Sequence, residues 1–361
     1  MKILQIIPQL SQGGAERFVV DLCNEMSREH EVTLIVLHSL DKTGFFAQEL
    51  NLSVKVLSMN KKGGMDFSLF FRLFSEIRKA KPDVVHTHLR GIVYSLFAIL
   101  FCCKIKFFHT VHNDAEKEAG DGVGKLFRKL FFKLNLVAPI TISDESKLSF
   151  TQFYNRDSIL IYNGGTKYQK DLNLCKEAQK ELCKSSDRIT IVNVARVMEQ
   201  KNQLALASVV DNLNKKGHNV DLYIIGRKDG SVITEQIEAK NFDSVHLIGP
   251  RTNPRDYMAV ADAFCLSSVY EGMPITLIEC FSVGAIPICT PVGGIKNMIQ
   301  DGVNGILAQS TSEEDIESAI VRFINLTGDE KQRMREASLA SFEQYNMTTC
   351  AQNYINEFCV L

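Results

Sequence analysis

The order of hydrophobic patterns constrains the fold of this chain more than any single residue does. KILQIIP is followed by the amphipathic stretch AERFVVDLCNEMSRE, then by EVTLIVLHS, a helical pattern near Phe67 to Lys79, and DVVHTH. Short β-rich runs separated by stretches of helical period imply parallel strands joined by crossover helices. The same grammar returns in RITIVNVAR, a helical pattern over Gln203 to Asn214, VDLYIIG, VHLIGP, a helix over Pro254 to Ala261, AFCLSS, a helix after Pro274, and AIPICT. The expected fold is α/β, with two Rossmann-like doubly wound halves facing across a cleft. Ligands of such sheets bind beyond the carboxyl ends of the strands.

Length agrees with two cores, since 361 residues with 45% apolar content exceed what one core usually holds. The first domain is expected over 1–165, ending at the turn signal Asn163 to Gly165, and a polar linker over 166–187. A second domain over 188–342 and a closing helical segment over 343–361 complete the chain. No short repeat or low-complexity tract points to a solenoid or a fibre.

With 41 basic and 42 acidic side chains, the chain carries no field that predicts a nucleic-acid partner. Its ten cysteines show no metal-ligand spacing, and the N-terminus lacks a secretory pattern, so reduced, buried thiols and a cytoplasmic location are expected. The longest apolar run, Ile92 to Cys103, is too short to span a bilayer and reads as a buried helix. In GKLFRKLFFKLNL, residues 124–136, Lys125, Arg128, Lys129 and Lys133 interleave with phenylalanines and leucines. That pattern fits either an amphipathic helix packed on its own domain or one lying on a membrane surface.

Three motifs follow strands. QGGAER places Gly13 and Gly14 at a helix start, where free amides favour an anion, although a glycine pair is also ordinary turn chemistry. In NVARVMEQKN, Arg196 and Lys201 are either a solvated basic pair or a clamp for a diphosphate that neutralises charge on a leaving group. YEGMPITLIEC sets Glu271 and Glu279 around Met273, Pro274, Ile275, Thr276 and Leu277. A helix opening on Pro274 would aim the amides of Ile275, Thr276 and Leu277 at a phosphate. Carboxylates repel phosphate, so the two glutamates are better assigned to hydroxyls on either side of it. A nucleotide sugar has hydroxyls on both sides of its diphosphate.

Among the histidines, His86 and His109 read as satisfied structural partners, while His112, beside Asn113 and Asp114 at a strand end, is the candidate for a site. GDGVGKLF, Gly120 to Phe127, lacks the glycine spacing and preceding strand of a phosphate loop. There is no GxGxxG, no GxSxG and no Asp-x-Asp pair. Nothing in the sequence therefore calls for a metal.

GGAER, ARVMEQKN and SSVYEGMPITLIECFSVGAIPICTPVGGIKNMIQDGVNGILA together resemble family 4 of the retaining glycosyltransferases, and the likeness is strongest over Val245 to Leu307. The resemblance implies the GT-B architecture, with a C-terminal helix that returns to the first domain. It implies a UDP- or GDP-sugar held chiefly by the second domain, with no cofactor and no metal. Arg196, Lys201, the backbone of Ile275 to Leu277 and Gly14 would hold the diphosphate, Glu271 the transferred sugar and Glu279 the ribose. His112 would contact the donor sugar, Ser268 would lie near the sugar, and the turn from Gly249 to Arg251 near the base. Met273 and Thr276 depart from common variants of the motif and leave the sugar open.

The implied activity is transfer to a glycan or lipid-linked glycan acceptor in capsule, lipopolysaccharide or surface polysaccharide assembly, in the cytoplasm or at the inner face of the membrane. A nucleotide-sugar 2-epimerase and a noncatalytic nucleotide-sugar-binding subunit are the alternatives.

Overall fold

The computed structural model describes residues 1–120, 122–185, 187–228 and 232–360. Asp121 of the Gly120 to Phe127 stretch, Ser186 of the expected linker and Leu361 of the closing segment lie outside the described residues. Two compact units divide the chain: Met1–Gly165 with Asn346–Leu361, and Thr166–Tyr345.

The first unit is built on seven parallel strands: β1 (Lys2–Ile7), β2 (Glu31–Val36), β3 (Lys55–Ser58), β4 (Val84–His88), β5 (Lys106–Val111), β6 (Ala138–Thr141) and β7 (Ile159–Leu160). Their spatial order is β3-β2-β1-β4-β5-β6-β7. The central strands are buried almost end to end because helices cover both faces. The helix Phe67–Ala80 shows how local sequence fixes such a cover. Asp66 caps its first turn through Leu69 N–H, Leu69, Phe70, Leu73 and Ile77 form its buried stripe, and Lys81 ends it in the left-handed conformation.

The second unit repeats the plan with β8 (Ile189–Val194), β9 (Val220–Ile225), β10 (Val245–Gly249), β11 (Ala263–Leu266), β12 (Pro287–Cys289) and β13 (Ile306–Leu307). The order is β10-β9-β8-β11-β12-β13. Each sheet therefore reverses its winding beside its first strand, between β1 and β4 and between β8 and β11, the usual location of a ligand crevice.

The last helix, Met347–Val360, belongs to the first unit. Its buried Tyr354 and Phe358 pack on His86 and Phe108 of the first sheet, at ring separations of 5.1 and 4.7 Å. Gly165 bridges Asn346, and Met347 N–H donates to Gly165 O at 2.8 Å. Gly164 lies so close to this crossing that a side chain there would meet Cys350 Cβ at 2.6 Å.

Four expectations need correction. The run Ile92 to Cys103 does not form one buried helix but falls in two short ones, Gly91–Tyr94 and Leu96–Phe101, and Leu100 and Phe101 are exposed. Ser95, at the break, donates its hydroxyl to Gly91 O and competes with helix continuation. Segment 166–187 is no bare linker: Asp171 caps a helix Leu172–Glu181, and Tyr168 donates to Asp256 at 2.6 Å. Only Cys175 and Ala178 of that helix are buried, too little apolar content to reveal it in the sequence. The helix after Pro274 begins at Ile275, with Pro274 in extended conformation at its cap. Finally, Arg128 is not part of a basic surface, because it is buried in the first unit.

Candidate active site

The edge of the second unit where β8 and β11 end gathers several of the predicted residues. Lys201 follows β8 on a short 3-10 turn, Glu199–Lys201, and Ser268 and Glu271 follow β11. Lys201 Nζ donates to Glu271 Oε1 at 2.6 Å, and Ser268 Oγ donates to the same oxygen at 2.5 Å. The supporting loops are tied through their backbone carbonyls. Gln200 Nε2 donates to Tyr270 O, Val269 N–H to Gln200 O, Ser267 Oγ to Lys201 O, and Thr290 Oγ1 to Ser268 O. Gly293, at φ 51°, leaves room for the carbonyl of Glu271, which a Cβ there would strike. One glutamate is thus held by a cation, a hydroxyl and a rigid backbone frame.

Arg196 stands at the end of the same strand with an exposed side chain that has no partner among the described residues, while its carbonyl accepts from Gln203 Nε2 at 2.8 Å. The helix Ile275–Ser282 opens next to Glu271. Of its three candidate amides, Leu277 N–H already donates to Pro274 O at 3.1 Å, leaving those of Ile275 and Thr276. A fixed lysine, an unengaged arginine and two amides with no partner among the described residues can receive an anion. Met273 and Pro274 are buried beneath this turn, and Glu279 stands half-buried one turn into the helix.

Arg251 is committed elsewhere. Its guanidinium donates to Glu181 and to the Tyr257 hydroxyl, the latter at 3.2 Å, and the bond to Glu181 raises its pKa. Gly249, at φ 75°, ends β10, the edge strand of the sheet.

In the first unit, Gly13 caps the helix Gly14–Met26. The Glu16 carboxylate occupies the position a Gly13 side chain would take, and accepts from Ser11 Oγ at 3.1 Å. An anion of the protein's own therefore stands at this helix start. His112 follows β5; its Nε2 lies 2.9 Å from His88 Nδ1, and its backbone N–H donates to Glu118 Oε2 at 2.6 Å. Burial is the main force lowering the pKa of His112, to about 4, against the attraction of Glu118. Near neutral pH the ring is uncharged and accepts hydrogen bonds better than it takes protons.

His109 is satisfied by Thr87 Oγ1 at 2.9 Å and Glu118 Oε1 at 3.3 Å. His86 is satisfied at one nitrogen only: Nε2 lies 2.8 Å from Thr110 Oγ1, while Nδ1 is buried without a partner among the described residues.

Glu118 went unnoticed in the sequence, although it meets two histidines and lies 3.6 Å from Arg128. Burial opposes its ionisation, but the hydrogen bond from His109 and the Arg128 charge hold its pKa below the usual value. Nothing in its spacing marks it, since the helix Ala115–Ala119 that carries it spans one turn and a half. His88 and Gln5 were also missed; the HTH alternation places His86 and His88 on one face of β4, which was a usable signal. Among the described residues no cluster of His, Cys, Asp and Glu could hold a metal ion.

Residues 12–164 match the family described as Glycosyltransferase Family 4, and residues 175–340 match Glycosyl transferases group 1. An α-1,4-N-acetyl-D-galactosaminyltransferase acting on GalNAc-alpha-(1->4)-GalNAc-alpha-(1->3)-diNAcBac-PP-undecaprenol, from Campylobacter jejuni, is 23% identical over 95% of this chain and 96% of its own. The capsular polysaccharide biosynthesis glycosyltransferase CapH of Staphylococcus aureus is 26% identical over 81% of this chain and 82% of its own. Among solved structures, Anabaena HepE in complex with UDP-glucose superposes with a TM-score of 0.85 at 18% identity, covering all of both chains. The two matches leave only the first residues, a short stretch after Gly165 and the C-terminal end unmatched, and the chain belongs to the glycosyltransferases of the GT-B fold.

Proposed function

We propose that the protein is a retaining, metal-independent glycosyltransferase that moves a sugar from a UDP- or GDP-sugar to a hydroxyl of a lipid-linked or surface glycan. The observation that carries this reading is the grouping at the ends of β8 and β11, where Lys201 and Ser268 converge on Glu271 beside the start of the helix Ile275–Ser282. Arg196, Lys201 and the amides of Ile275 and Thr276 bind the diphosphate and stabilise the charge that grows on it as the glycosidic bond breaks. Fixed cations and dipoles thereby do the work often given to a divalent ion.

Glu271 accepts from hydroxyls of the transferred sugar, and Glu279 from those of the ribose. The departing phosphate takes the acceptor's proton on the face from which it leaves, so configuration is retained without a protein nucleophile. Ser268 and Met273 border the donor's sugar, and the turn at Gly249 meets its base. His112 accepts a sugar hydroxyl. The named relatives that act on undecaprenol-linked and capsular glycans support the choice of acceptor.

A lipid-linked acceptor calls for an approach to the membrane surface, which we assign to the helix Val123–Lys133 of the first unit. Val123, Leu126 and Leu130 are exposed on it, and Lys125 and Lys129 lie over the Phe153 ring at 4.9 and 4.8 Å. Among the described residues no helix is long and apolar enough to cross a membrane.

The experiment is a panel of UDP- and GDP-sugars offered with undecaprenyl-diphosphate-linked acceptors, with and without chelator. Product with retained anomeric configuration, formed equally in chelator, is expected. Turnover that requires added metal, or sugar interconversion without acceptor, overturns the reading.

A further inference from the structure

Gln5 lies in the centre of the first sheet, wholly buried, on a strand otherwise made of isoleucine and leucine apart from its first residue. A buried amide in such a strand needs partners for both of its ends. Its Oε1 stands 2.9 Å from His88 Nε2, and its Nε2 stands 3.7 Å from the sulfur of Met26, itself buried. His88 Nδ1 in turn meets His112 Nε2 at 2.9 Å. The backbone register explains the alignment. Gln5 pairs with His86, and His88 with Thr110, so Gln5, His88 and His112 project from the same face of neighbouring strands.

The direction of this chain of bonds follows from what each atom can do. A thioether sulfur accepts but does not donate, so Gln5 turns its NH2 toward Met26 and its carbonyl oxygen toward His88. The opposite rotamer would set a carbonyl oxygen against sulfur, with a buried acceptor left unpaired. His88 must then carry its proton on Nε2, and its Nδ1 is an acceptor. His112 must donate from Nε2, which leaves Nδ1 as a bare lone pair. His112 Nδ1 has no partner among the described residues and is not one of their buried unpartnered atoms, so it faces solvent. Phe18 packs edge-on against both imidazoles, at 6.5 and 5.8 Å, and resists their rotation.

We propose that Met26, Gln5 and His88 form a relay that locks His112 in its Nε2–H tautomer, so that Nδ1 is a permanent hydrogen-bond acceptor for a sugar hydroxyl. Gln5 is a positioning residue that touches no reacting atom and acts only through His88. Burial, the largest influence on both rings, also lowers the pKa of His88 and His112 and keeps each to a single proton. An acceptor at that point selects a sugar that offers O–H and rejects one that offers a lone pair alone. The hydroxyl role rests on the glycosyl-transfer reading above; the tautomer does not.

The test is long-range 1H–15N spectroscopy of the full chain labelled with 15N-histidine, with the His112 signals identified by their loss in His112→Gln. At neutral pH the wild type is expected to show His112 protonated at Nε2 and bare at Nδ1. In Gln5→Leu the buried His88 Nε2–H loses its acceptor, so both rings should change tautomer and His112 should appear protonated at Nδ1. Gln5→Glu keeps an acceptor at the same place and should restore the wild-type pattern. Met26→Leu, the gentler change if Gln5→Leu does not fold, frees the amide to turn and should divide His112 between both forms.

Turnover should follow the tautomer, with kcat down about tenfold in Gln5→Leu for the loss of one hydrogen bond, UDP affinity unchanged, and recovery in Gln5→Glu. A wild-type His112 protonated at Nδ1, or a pattern indifferent to Gln5 and Met26 alike, overturns the relay. A wild type with the expected tautomer that turns over no nucleotide sugar upholds the relay and removes the glycosyl-transfer reading instead.

Discussion

Lys201 and Glu271 are seventy positions apart in the chain, yet they meet at 2.6 Å with both side chains largely shielded from water. Breaking such a pair strands a charge, so Lys201→Met or Glu271→Gln alone should cost about 3 kcal/mol of stability. The double variant should recover part of the loss. Urea denaturation of the three variants measures this directly, and equal additive losses would show that the pair is not coupled.

The two glutamates of the same segment should separate by role. Glu279→Ala should weaken UDP or GDP binding by about 1–3 kcal/mol, the worth of a hydrogen bond to a charged group, and leave kcat little changed. Glu271→Ala should spare free-nucleotide affinity and lower turnover. Calorimetry with the nucleotide beside steady-state kinetics distinguishes them; similar losses of nucleotide affinity in both would contradict the assignment.

Acid should weaken the fold well before its carboxylates are protonated. Burial keeps His86, His88, His109 and His112 below the ordinary imidazole value of 6.5, and His112 near 4. As pH falls through 6.5 the unfolded chain takes up protons that the folded chain refuses, so stability declines. For His112 the decline spans 6.5 to about 4, where the folded ring is also protonated. Glu118, its pKa lowered, stays ionised through the upper part of this window and does not offset the effect. Urea midpoints at pH 7.5, 6 and 5 should fall in that order, and His88→Gln should reduce the slope.

Gly164→Val should loosen the last helix, because its side chain would have to displace Cys350 and the backbone at Met347, which lies 2.9 Å from the added atom. Overpacking of this kind costs about 1–3 kcal/mol. Hydrogen exchange should show earlier opening of residues 347–360 than of β1.

If the helix Val123–Lys133 lies on a lipid surface, Leu126→Asp with Leu130→Asp should abolish co-flotation with anionic vesicles while leaving the melting temperature within a few degrees, since both residues are exposed. Unchanged flotation would remove the membrane assignment.

The architecture was legible because parallel strands buried on both faces leave long apolar runs, as in KILQII and VDLYII, and their spacing dictates the winding. The meeting of Lys201, Ser268 and Glu271 was legible as a position after strands but not as a set of bonds. What stayed hidden depends on tertiary context. The helix Leu172–Glu181 buries only two small side chains, so no periodicity announces it. Arg128 lies in a basic, aromatic segment, and its burial beside Glu118 is what shows that it faces inward. Pro274 was read one residue too far into its helix, an offset typical of boundaries judged from residue preference. Gln5 hid in plain view, since an isolated amide in an apolar strand signals only that a partner must exist.

The crossing of Gly165 and Asn346 makes Thr166–Tyr345 an insertion whose entry and exit adjoin. A short flexible splice between those two points should therefore excise the whole second unit without opening the first unit, whose own final helix would remain tethered in place. Such a cassette can be acquired or exchanged by a single graft where the two ends meet, and an engineer wishing to replace the second unit can use the same pair of ends.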